Sequence, residues 1–112
     1  MQFLEGLSGL RQLMVNRQAL LTGAVTAIAS LRDLEDLSLW ETGLREIDLQ
    51  PLHGHQQLRK LNLAGIRLRR PGLRVFKSLP KLEWLMASGT GLSRVRKLVM
   101  ARALPSVELR LS

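Results

Sequence analysis

The sequence predicts an α/β solenoid of four to five repeats, with a curved parallel sheet on the inner wall and helical segments outside. The first observation is a repetition. LRQLMV (Leu10 to Val15), LEDLSL (Leu34 to Leu39), LRKLNL (Leu58 to Leu63) and LEWLMA (Leu82 to Ala87) share the pattern L-x-x-L-x-φ, and successive starts lie 24 residues apart. The second is a change of period after each strand. Val25 and Ile28, Leu49 and Leu52, and Leu73 and Phe76 are spaced by three, as on one face of a helix. The third is size: no unit of this length can bury its own leucines, so neighbours must stack and share one core. Stacking in one direction makes the strands parallel and puts the returns behind them.

The chain reads as a single domain over residues 1–112, with repeats starting near residues 10, 34, 58 and 82. Residues 1–9 form a partial helical unit, because FLEGLSGLRQLMV aligns with VFKSLPKLEWLMA and places Phe3 and Leu4 at helix positions. Leu20, Leu44, Leu68 and Leu92 each fall ten residues after their starting leucine, and Leu31, His55 and Leu79 close the units. Pro71 suits the first turn of one helix and Ser93 the cap of the next. Between Leu92 and Leu98 the spacing is six rather than five, which gives the fourth unit one extra residue. In VELRLS, Val107, Leu109 and Leu111 alternate without the two-residue gap, which reads as a slipped closing strand near residue 107. The N-terminal end lacks a polar cap. Such an end exposes apolar surface and a strand edge, as expected of the C-terminal part of a longer repeat protein or of a chain that self-associates there.

These four aligned units resemble the leucine-rich repeat family, and the resemblance covers nearly the whole chain. The variant resembles the bacterial type with short repeats: LEWLMASGTGLSRVRKLVMARALPSVELRLS is similar to repeat ends in which Thr fills a slot that longer repeats give to Asn. That slot holds Gln18, Thr42, Ile66 and Thr90, so a polar ladder along the turns is incomplete. The resemblance implies recognition of a protein partner without catalysis. Some bacterial relatives carry a cysteine-dependent ubiquitin-ligase domain, for which this chain has neither cysteine nor room.

Composition sets the outer bounds. Hydrophobic residues at 46% with 23% charged residues describe a folded chain rather than a disordered one. No apolar run approaches the roughly 20 residues of a membrane helix. The opening MQFLEGLSGL lacks a basic segment followed by an apolar run, so no secretory signal is read and a cytoplasmic location is expected. Without cysteine, disulfides, thiolate metal sites and thiol nucleophiles are excluded.

Strand alternation directs the leucines inward and leaves the third and fifth positions on the inner wall. The third positions are Gln12, Asp36, Lys60 and Trp84, and the fifth are Met14, Ser38, Asn62 and Met86. Trp84 and Met86 thus share one exposed face, and Trp40 lies two strands away at the exit side. Exposed Trp and Met are frequent anchors of protein interfaces. Trp84, Met86, Lys60, Asn62 and Trp40 are therefore the expected partner-binding residues. The alternative is that Trp84 only covers neighbouring side-chain stems. The second positions, Arg11, Glu35, Arg59 and Glu83, alternate in charge across strands about 4.8 Å apart, and Asp36 can pair with Lys60 beside them.

A net charge of +8 invites a different partner, nucleic acid or an anionic membrane surface. The excess sits in the third and fourth units, with Arg69, Arg70, Arg74, Arg94, Arg96 and Lys97 falling on the turns and the outer helical side, away from Trp84. Aromatics interleaved for base stacking are missing there, since Phe76 belongs to the core. His53 and His55 form the only H-x-H pair, but a third metal ligand at suitable spacing is lacking. His55 reads as a substitute for leucine that hydrogen-bonds locally. No catalytic set is visible, so neither an enzyme, a cofactor nor a metal is expected.

Overall fold

A computed structural model of the chain describes residues 9–15, 24–68 and 73–111. Five short strands alternate with helical returns: β1 (Gln12–Met14), α1 (Ala24–Ala29), β2 (Asp36–Ser38), a 3-10 helix (Glu46–Leu52), β3 (Lys60–Asn62), α2 (Leu73–Lys77), β4 (Trp84–Met86), α3 (Arg94–Ala103) and β5 (Glu108–Arg110). The strands form one parallel sheet in chain order, β1-β2-β3-β4-β5. Each pairs with the next at a constant offset of 24 residues, so that Leu13, Leu37, Leu61, Leu85 and Leu109 stand side by side. Pairing runs past the strand ends, where the Leu39, Leu63 and Ala87 amides donate to the carbonyls of Asn62, Met86 and Arg110 at 2.8–2.9 Å.

The period that sets the strands also sets the core. Leu34, Leu37, Leu39, Leu58, Leu61, Leu63, Leu85 and Ala87 have no measurable exposure. Ile28, Leu52, Phe76 and Met100, again 24 apart, press onto them from the returns. Burying each such leucine contributes about 1.5–3 kcal/mol relative to leaving it in water. The second return is a 3-10 helix rather than an α-helix. Pro51 lies inside it and has no N–H to give to an α-helical ladder. Leu49 and Leu52 are buried all the same, so helix type changes while the inward positions persist.

Two expectations for the fourth unit are corrected. It holds no extra residue: Met100 occupies the inward place 24 residues after Phe76 and is fully buried, whereas Leu98 is 64% exposed. Nor does the closing strand slip, because Trp84, Leu85 and Met86 pair with Glu108, Leu109 and Arg110 in the common register. The first leucine of the pattern is instead replaced by Ser106, and Leu104 is buried just before it. Choosing inward residues by leucine identity fails where the period and the residue type part company.

The turns follow the incomplete polar ladder. Thr42 and Thr90 are buried, and their hydroxyls donate to the Leu39 and Ala87 carbonyls at 2.9 and 2.6 Å, closing their own turns. Ile66 fills the slot between them with an apolar side chain of no exposure. Just before this slot the backbone is left-handed, at Glu41 (φ 53), Gly65 (φ 77) and Gly89 (φ 66). Gly65 also lies close against its neighbour, since a Cβ there would meet the Glu41 Cγ at 2.6 Å.

Ser93 caps α3 as expected, its Oγ accepting from the Arg96 N–H at 3.2 Å. Ser93→Ala removes the partner of one unpaired helix-terminal amide, and a loss of about 1 kcal/mol is expected in urea unfolding, with the slope unchanged. The positions of Pro71, Gln18, Leu20 and residues 1–8 of the expected partial helical unit lie outside the described residues.

Candidate binding face

Alternation about the inward leucines gives the sheet an outer face made of two rows. Gln12, Asp36, Lys60, Trp84 and Glu108 form one; Met14, Ser38, Asn62, Met86 and Arg110 form the other. Met14 is 73% exposed, Lys60 is exposed, and Trp84, Met86, Asn62 and Asp36 are half-buried. Ser38 corrects the expectation for its row, because it is buried and so small that its neighbours cover it. An open concavity of about 560 Å³ lies over this face, with Lys60, Asn62 and Trp84 among its lining residues and Glu108 at its far side.

The charge ladder closes as the register requires. Arg11 Nε lies 3.6 Å from Glu35 Oε2, Arg59 Nη1 lies 3.6 Å from Glu35 Oε1, and Arg59 Nη2 donates to both Glu83 oxygens at 3.0 and 3.1 Å. The Glu83 carboxylate, by hydrogen bonding and then by charge, holds the Arg59 pKa above its ordinary value, with a smaller contribution from Glu35. On the alkaline side a raised pKa keeps Arg59 charged through the ordinary arginine range, and its contribution is lost only as pH rises beyond it. Pairs exposed to this degree do little for stability. What they do is fix four long side chains along one rim, beside a second open concavity of about 590 Å³.

The expected Asp36–Lys60 pair does not close, although the two are strand partners. The Lys60 ammonium makes no ion pair or hydrogen bond among the described residues, although its backbone amide donates to the Glu35 carbonyl at 3.0 Å, and the Trp84 indole N–H likewise has no partner there. These two side chains are neighbours across β3 and β4. Asn62 is partly committed, its Oδ1 accepting from the Ala64 amide at 3.0 Å. Trp40 is half-buried at the strand exit. Two residues of this face escaped the sequence reading. Glu108 and Arg110 stand beside Trp84 and Met86 and form an ion pair at 2.7 Å. Adding the 24-residue period to Trp84 and Met86 finds them directly.

The histidines are separated in role. His55 is buried, with Nε2 2.9 Å from the Leu31 carbonyl and Nδ1 accepting from the Gln57 amide at 3.3 Å. This pattern places the proton on Nε2 and leaves no lone pair for a metal. His53 is exposed. Among the described residues no group of three or more His, Cys, Asp or Glu is arranged to hold a metal ion, and no helix is long and apolar enough to cross a membrane. Of the basic cluster, Arg74, Arg94 and Arg96 are exposed and Lys97 is half-buried, while Arg69 and Arg70 lie outside the described residues.

A five-stranded parallel sheet in chain order with helical returns between its strands is an α/β arrangement. Among solved structures it resembles the C-terminal domain of tropomodulin from Caenorhabditis elegans, with a TM-score of 0.76 over 99% of this chain and 79% of that one. At 16% sequence identity this likeness carries the fold alone. No protein-family model and no curated protein matches the sequence.

Proposed function

We propose that the chain is a leucine-rich-repeat solenoid of four units and a closing strand, of the short-repeat kind, that binds a protein partner on its concave sheet face. Trp84 and Met86 are the anchors, with Lys60, Asn62 and Trp40 around them. The observation that carries this reading is the pairing of a half-buried Trp84 with a neighbouring Lys60 whose ammonium has no counter-ion among the described residues, both lining the open concavity. An aromatic ring beside a cation that lacks a partner offers apolar area and a charge to one approaching side chain or terminus. Stacked repeats commonly use such extended faces for recognition. Recognition without catalysis is part of this proposal, as the resemblance to leucine-rich repeats implies.

The experiment is a binding titration with a partner purified on the immobilised chain. Trp84→Ala is expected to weaken that complex at least about tenfold and to leave the circular dichroism spectrum unchanged, because the side chain stands outside the core. Unchanged affinity would remove Trp84 from the interface and the reading with it. Self-association of the chain is a further proposal. A molecular mass in solution that rises with concentration supports it, and one constant at the monomer value opposes it.

A further inference from the structure

The outer side of the fourth unit carries an apolar stripe that the core does not use. On α3, Val95 is 69% exposed, Leu98 64% and Val99 43%, while Met100 has no exposure. With 3.6 residues per turn, Val95, Leu98 and Arg102 share the side of the helix opposite Met100, and Val99 borders it on one flank. The helix therefore has two apolar sides, one turned to the core and one to the surroundings.

The surroundings of the stripe are uniformly basic. Arg94, Arg96 and Arg102 are exposed on α3, and Arg74 and Lys77 are exposed on α2, which packs alongside. The sequence has no acidic residue between Asp48 and Glu83, and none between Glu83 and Glu108. Nothing in these returns neutralises the cations.

Charge and shape together select the occupant. A second copy of the chain would bring the same cations to the stripe and be repelled. A nucleic acid would satisfy the arginines but leave three aliphatic side chains in water, with no aromatic to stack on a base. An anionic bilayer surface takes both: aliphatic side chains enter the boundary between headgroups and acyl chains, and arginine and lysine stems reach the lipid phosphates. It is also flat, which suits a stripe on a helix back rather than in a groove. We infer that α3 docks the chain on an acidic phospholipid surface, with Val95, Leu98 and Val99 inserted and Arg94, Arg96 and Arg102 on the headgroups. The stripe belongs to the helical layer, so this docking stands independently of the sheet face.

The test is co-sedimentation of the full chain with phosphatidylcholine vesicles, with and without about 30 mol% phosphatidylserine. Binding is expected only with the acidic lipid, and it should weaken steeply when salt rises from about 0.05 to about 0.5 M. The combined Val95→Ser, Leu98→Ser and Val99→Ser variant is expected to lower partitioning at least about tenfold. The Arg94→Gln, Arg96→Gln and Arg102→Gln variant should do the same by the electrostatic route. Native circular dichroism in each variant guards against unfolding; should the triple serine variant lose it, Leu98→Gln alone decides, with an expected drop of at least about threefold. Absence of binding to the acidic vesicles, or equal binding to neutral ones, overturns the inference. So does full binding by the serine variant, because the surface then holds any polyanion by charge alone.

Discussion

Met100→Ala is expected to destabilise the chain by about 2–5 kcal/mol, whereas Leu98→Ala should change stability by less than about 0.5 kcal/mol. The contrast rests on burial: Met100 has no exposure and Leu98 is 64% exposed, two positions apart on the same helix. Removing Met100 takes three heavy atoms from the common core and leaves a hollow that the neighbouring buried Phe76 and Leu104 cannot fill without moving. Removing Leu98 takes apolar area out of water, and alanine is the better helix former. Urea unfolding followed by circular dichroism measures both. Equal losses would mean that Leu98 packs inward and that the fourth unit departs from the common period.

His55→Ala is expected to cost about 2–4 kcal/mol, and His55→Leu only about 1 kcal/mol. Alanine leaves a cavity and removes two hydrogen bonds, those to the Leu31 carbonyl and from the Gln57 amide. Leucine keeps the volume and is the residue that closes the neighbouring units at Leu31 and Leu79. Neither backbone group is left in a dry core by the change. The Leu31 carbonyl still accepts from the Leu34 amide at 3.1 Å, and Gln57 is half-buried, within reach of water. Thermal melts of the two variants separate packing from hydrogen bonding. Equal destabilisation would assign the whole contribution of His55 to its ring nitrogens.

Strand register was legible because leucine recurs at every start and at the third place after it, so identity and period agree through Leu10–Leu13, Leu34–Leu37, Leu58–Leu61 and Leu82–Leu85. In the last unit they disagree. Lys97 stands where Val25, Leu49 and Leu73 stand in earlier units, and the nearest leucine, Leu98, draws attention away from Met100. The same disagreement hid Glu108 and Arg110, since Ser106 obscures the first leucine of the closing strand. Partial cover on the face was not legible at all. Whether a Trp is half-buried, or a Ser is covered, depends on the sizes of residues 24 positions away in both directions, which no local pattern reports. The Asp36–Lys60 pair shows a related limit: register brings the two backbones together, but it does not bring the ends of the side chains within ion-pair distance.

The constant offset between strands has a kinetic meaning. Each strand pairs only with those before and after it in the chain, so every sheet contact closes a loop of one unit and none waits for the two ends to meet. Folding can begin at any adjacent pair and advance one unit at a time, and each added unit meets the same closure entropy as the last. Growth of this kind tolerates duplication or loss of a whole unit far better than insertion of a single residue, which would break the alignment of everything after it.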